Sequence, residues 1–120
     1  LKGAGIRVSF FVDPDPEQIR EAYKCGADII EIHTGHYSDA TSESEAVERF
    51  DHVSRAVKSA ADLPLAISVG HGLNYINIKR FKSLPQIEEY SIGHSIVARA
   101  VLVGWERAVR EMVALVDRLS

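Results

Sequence analysis

The sequence predicts an α/β fold: four consecutive βα units around one parallel sheet, half of an eight-unit (β/α)8 barrel. Three observations point there. Short β-branched, apolar runs alternate with longer stretches whose apolar residues recur every three or four positions, giving the order β-α-β-α-β-α-β-α and right-handed crossovers. The chemically suggestive residues (Asp13, Glu31, His33, His71 and His94) all stand where a strand hands over to its helix, the end that carries the active site in βα-barrels. Finally, 120 residues hold one βα-repeat region and no more, about half of the ~250 residues such a barrel needs. The chain runs into a strand within a few residues of Leu1, so it reads as a piece of something longer.

The elements follow in order. Gly5 to Val12 is strand-like, with Ile6, Val8, Phe10, Phe11 and Val12 making it apolar on both faces. Asp13-Pro14-Asp15-Pro16 stops it. Asp15 is an N-cap with Pro16 at the first helical position, and the helix runs to about Lys24, where Gly26 ends it. Asp28 to His33 is the second strand. Thr34 to Thr41 reads as a long polar loop and a candidate lid. Ser42-Glu43-Ser44-Glu45 is a capping box opening a helix whose stripe is Ala46, Val47, Phe50, Val53, Ala56, Val57 and Ala60. Asp62-Leu63-Pro64 breaks it. Leu65 to Val69 is the third strand, and Asn74 caps a short helix to about Leu84. Glu89 to Ile92 is the fourth strand. A short helix over Ser95 to Val101 and a final helix over Trp105 to Leu119, with Ala108, Met112, Leu115, Val116 and Leu119 as its stripe, complete the chain.

Composition narrows the function classes. A hydrophobic share of 46% and a charged share of 26% describe an ordinary globular domain. The formal net charge of -3 offers no basic face for nucleic acid. The longest apolar runs are strand-length, and Leu1 to Gly5 has no signal-like apolar core. Cys25 is the only cysteine, which excludes an internal disulfide and fits a reducing cytoplasm. As a helix-end cysteine it is read as small core filler rather than a nucleophile.

The organising stretch is Ile67 to Asn74, a buried strand that ends in Gly70-His71-Gly72 and opens onto a helix. Glycine turns there let backbone N–H groups approach an anion, and a histidine in the turn can transfer protons near neutral pH. Ser91-Ile92-Gly93-His94-Ser95 repeats the arrangement on the next strand. For His71 the bland alternative is a turn histidine capping a helix. For His94 the backbone N–H is the expected phosphate donor. Glu31 sits between Ile30 and Ile32, where a carboxylate is either paired and functional or reaches solvent or a lysine at the strand end. His33 shares its strand face and is read as a hydrogen-bonded structural histidine. His33, His36, His71 and His94 match no zinc spacing, so no metal is expected. Arg7 and Arg99 are read as surface or ion-pair residues. No dinucleotide or P-loop glycine pattern occurs.

Arg7-Val8-Ser9-Phe10-Phe11-Val12-Asp13, Ile30-Glu31-Ile32-His33-Thr34-Gly35, Gly70-His71-Gly72-Leu73-Asn74-Tyr75 and Ile92 to Ala100, in that order and spacing, resemble the pyridoxine 5′-phosphate synthase (PdxJ) family over nearly the whole chain. The resemblance implies the C-terminal half of a TIM barrel. It implies condensation of 3-amino-2-oxopropyl phosphate with 1-deoxy-D-xylulose 5-phosphate to pyridoxine 5′-phosphate, phosphate and water, in vitamin B6 biosynthesis, without metal or organic cofactor. Carried over by motif, His71 would be the proton donor and Glu31 the transition-state stabiliser, while Gly72, Gly93 and His94 would hold a substrate phosphate. The family's other general bases lie on the N-terminal four units. The partners expected are therefore phosphorylated small molecules, that N-terminal half and further copies in an octamer-like homo-oligomer, with no nucleic acid and no membrane. The chain alone is expected not to complete the reaction. The alternatives are a non-catalytic phosphate-binding half-barrel, or a fragment of another phosphate-handling barrel such as those of histidine or tryptophan biosynthesis.

Overall fold

The computed structural model describes residues 1–120. Four strands, β1 (Ser9–Val12), β2 (Ile29–His33), β3 (Ala66–Gly70) and β4 (Glu89–Ser91), form one sheet in the order β1-β2-β3-β4. Every pairing is parallel. Each sequential strand is therefore added beside the last, as in a barrel wall rather than a doubly wound sheet. The helices are α1 (Pro16–Lys24), α2 (Gly35–Ser38), α3 (Glu43–Ala61), α4 (His94–Val103) and α5 (Trp105–Asp117), with a 3₁₀ segment over Asn77–Ser83. No helix is long and apolar enough to cross a membrane.

The strand register separates two faces. Ile30 and Ile32 on β2, with Ile67 and Val69 on β3, are buried under the helices. The opposite face carries Phe11, Glu31, Ser68 and Glu89 in one row, and His33, Gly70 and Ser91 in the next row toward the strand ends. This alternation aims the polar, chemically capable side chains at what is the interior of a closed barrel.

The core sits between sheet and helices. Ile19 and Ala22 of α1, and Val53, Ala56, Val57 and Ala60 of α3, are its helical contribution. Phe81, fully buried, anchors an aromatic cluster with Phe50 at 5.1 Å, Tyr37 at 5.6 Å and Tyr90 at 6.0 Å between ring centroids. Burial pushes the Tyr90 phenol up to about 12. The capping chemistry is as expected at two helices: Asp15 accepts from the Glu17 N–H, and Ser42 from the Glu45 N–H. Glu45 then reaches one residue further back than a standard capping box, accepting from the Thr41 N–H at 2.9 Å. That bond holds its carboxyl below the usual range.

Several local expectations are corrected. β1 is largely exposed rather than buried on both faces, because it lies at the sheet edge and its Phe11 side faces the open cleft instead of the helices; Phe11 is 59% exposed. Thr34 to Thr41 is not an open loop: α2 forms within it, and Thr34, Gly35 and Tyr37 are buried. The helix expected from Asn74 is instead the 3₁₀ segment, because the Asn74 side chain caps the turn by accepting from the Ile76 and Asn77 N–H groups. Val47 lies off the α3 stripe at 50% exposure. Cys25 is exposed at the end of α1, so it is not core filler. Arg99 is the expected ion-pair residue, forked onto Glu111 at 2.6 and 3.2 Å.

Candidate active site

The strands' C-terminal ends open into a cleft of about 710 Å³ lined by Phe11, Glu31, His71–Asn74 and Ser91–Ser95. Glu31, His71, Gly72, Gly93 and His94 thus share one cavity, although they come from three different βα junctions.

The β3 turn is unusual. His71 has φ 84° and Gly72 φ 77°, two successive left-handed residues. Histidine tolerates this region better than most side chains, but it still carries strain on the order of 1–3 kcal/mol. Neighbouring groups hold the turn. The buried Thr34 hydroxyl is shared between the Gly70 carbonyl at 2.7 Å and the His71 carbonyl at 2.8 Å, and the Thr34 N–H also donates to Gly70. The Ser38 hydroxyl lies 3.3 Å from the His71 carbonyl, and the Asn77 amide donates to the Gly72 carbonyl at 3.1 Å. Tyr37 fixes Asn77 in turn, its hydroxyl donating to the Asn77 carbonyl at 2.8 Å. With the carbonyls occupied from behind, the N–H groups of His71, Gly72 and Leu73 have no protein acceptor. A run of free N–H groups in a left-handed turn is an anion-binding concavity.

The second junction adds another. Gly93 precedes α4, and the N–H groups of Gly93, His94 and Ser95 are likewise unpaired at the helix start, where the helix dipole favours negative charge. A Cβ at Gly93 would meet nothing within 4 Å, so this glycine leaves open space. Ser95 ties the junction to the first turn, its hydroxyl donating to the Leu73 carbonyl at 2.8 Å.

Glu31 owes its position to a neighbouring glycine. A Cβ on Gly70 would overlap the Glu31 Oε1 and come within 2.8 Å of the Ser91 Cβ. Gly70 therefore makes the slot in which the carboxylate lies. Ser68, in register with Glu31 on the same face, has a buried hydroxyl without a partner.

Sequence reasoning picked out Glu31, His71, Gly72, Gly93 and His94, which the structure gathers around one cleft. It missed the clasp of Thr34, Ser38 and Asn77, whose only sequence signal is a pair of hydroxyl residues, Thr34 and Ser38, in the short glycine-containing stretch after β2. It also missed that His33 lies against His71, with ring centroids 4.7 Å apart.

Two runs of unpaired backbone N–H groups, a carboxylate and a histidine line one cleft at the strand ends of a parallel sheet built in sequence order, which defines a βα half-barrel with a polar site at that rim. Comparison with known proteins agrees and narrows the class. The family model described as "Pyridoxal phosphate biosynthesis protein PdxJ" matches residues 1–118, and the chain belongs to that family. It is 52% identical over 116 residues to the pyridoxine 5′-phosphate synthase of Geobacter metallireducens, covering 97% of this chain and 48% of that protein. It is 51% identical over 119 residues to the enzyme of the same name from Desulforapulum autotrophicum, covering 99% and 50%. The chain spans about half the length of the curated relatives it matches.

Proposed function

We propose that this chain is the C-terminal, phosphate-holding half of a pyridoxine 5′-phosphate synthase. The whole enzyme would condense 3-amino-2-oxopropyl phosphate with 1-deoxy-D-xylulose 5-phosphate, giving pyridoxine 5′-phosphate, phosphate and water. The observation that carries the reading is the convergence of Glu31, His71 and the free N–H groups at residues 71–73 and 93–95 on one cleft. His71 donates protons during the dehydrations, and Glu31 stabilises positive charge that develops nearby. Gly72, Gly93 and His94 hold the phosphate of the aminooxopropyl substrate, which fixes its reactive carbon relative to the second substrate. The reaction on this reading needs neither metal nor organic cofactor.

The missing functional groups are assigned to an N-terminal half that completes the barrel. The open β1 edge, the exposed Phe11 and the unpartnered Ser68 hydroxyl on the interior face support such a neighbour. Apolar residues on α4 and at the start of α5 (Val97, Val101, Leu102 and Trp105) are 53% to 82% exposed, which supports further assembly in a homo-oligomer.

The test is product formation from the two substrates by the full-length protein, with His71→Ala and Glu31→Gln beside it. Turnover lost in both variants is expected. Phosphate binding without turnover in the wild type would favour a bare binding half-barrel, and turnover by the purified 120-residue chain would remove the need for the N-terminal half.

A further inference from the structure

The proton donor assigned above has no orienting hydrogen bond. The hydrogen bonds of His71 run through its backbone carbonyl, while its imidazole makes none, and the residue is exposed on a strained turn. Something else must set the ring's direction, because an exposed histidine otherwise samples several rotamers. The only aromatic surface against it is His33, whose ring stacks on it at 4.7 Å between centroids and 21° between planes.

His33 is itself held on two sides. The Gly35 N–H donates to its Nδ1 at 3.2 Å, which assigns the proton of the neutral ring to Nε2. Phe11 meets it edge-on at 5.0 Å and 62°. Gly35 also supplies the room. A Cβ there would overlap the His33 Cε1 and lie 2.8 Å from the His71 Cδ2. Gly35 does not have positive φ, so it is needed for space and not for backbone conformation.

We propose that His33 is a positioning residue that aims the His71 imidazole into the cleft by ring stacking, with Gly35 forming the slot that admits the pair. The role rests on the synthase reading of His71. It assigns the aiming to the flat face of His33 rather than to its nitrogens, and that distinction is testable.

In the full-length protein, His33→Phe keeps a ring and loses the acceptor; His33→Asn keeps an acceptor near Nδ1 and loses the ring. Stacking predicts that His33→Asn lowers kcat about tenfold, with KM within about twofold. His33→Phe should hold kcat within about threefold of wild type. The His71 ring-proton resonances should keep their ring-current shift in His33→Phe and lose it in His33→Asn. Wild-type kcat in His33→Asn would overturn the role, as would an equal loss in both variants, which would mean that the imidazole itself reacts. Loss confined to His33→Phe would make the Gly35 hydrogen bond the essential feature and overturn it too. An inactive wild-type protein would overturn the synthase reading and this role with it, whereas active wild type with either contrary pattern overturns this role alone.

Discussion

Replacing Thr34 by valine tests whether the Gly-His-Gly turn is held from behind. Threonine and valine are nearly equal in volume, so the change opens no cavity and isolates the hydroxyl. That hydroxyl is fully buried and shared between the Gly70 and His71 carbonyls at 2.7 and 2.8 Å. After substitution the Gly70 carbonyl still accepts from the Thr34 backbone N–H at 2.8 Å. The His71 carbonyl keeps only the long contact to Ser38 at 3.3 Å. One partly buried acceptor is therefore left poorly served, a loss of about 1–3 kcal/mol. The lower end applies because His71 lies at the surface, where water can reach the turn. A loss of about 1–1.5 kcal/mol corresponds to a Tm drop of roughly 2–6 °C in a protein of 150–250 residues. On the proposed synthase role the freed turn also carries the proton donor His71, so kcat should fall about fivefold to tenfold, since small displacements of a reacting group are amplified in rate. Urea denaturation and steady-state kinetics on the full-length protein read both effects. Stability within about 0.3 kcal/mol of wild type, with unchanged kcat, would refute the reasoning, because the hydroxyl would then hold nothing that matters.

Gly93→Asp places a carboxylate where a Cβ meets only open space, so folding should be unaffected; calorimetric titration with inorganic phosphate should show affinity reduced about tenfold or more by like-charge repulsion, and unchanged affinity would place the phosphate elsewhere. Phe81→Ala removes the fully buried centre of the aromatic cluster and should lower unfolding free energy by about 3–5 kcal/mol in chemical denaturation; a loss under about 1 kcal/mol would contradict the packing. Glu111 accepts from Arg99 and Arg107, which hold its carboxyl down to about 2. Because the folded value lies below the unfolded one, this pairing stabilises the fold at neutral pH and is lost as pH falls from the usual carboxylate range through about 2. Denaturation midpoints over that range should fall less steeply in Glu111→Gln than in wild type, and identical slopes would show that the fork contributes nothing.

Most of the architecture was legible because it rests on local, periodic signals. The alternation of apolar runs, the Asp15 and Ser42 caps and the α3 stripe each reflect forces acting within a few residues. Placing Glu31 and His33 on one strand face needed only the two-residue pleat. The β1 misreading has the opposite origin: its composition is that of a buried strand, while its exposure depends on what lies beyond the sheet edge.

The sequence by itself determined the order of βα units and which residues stand at the strand ends, because both follow from short-range periodicity and turn chemistry. Only the tertiary structure decided how those residues act on one another. The clasp of Thr34 on the Gly70-His71-Gly72 turn spans 36 residues, and the Glu31 carboxylate lies in a slot made by Gly70 on the neighbouring strand. The stack of His33 on His71 joins two strand ends through the space above a third residue, Gly35. Such contacts are set by parallel register and by the absence of single Cβ atoms, neither of which leaves a periodic trace along the chain.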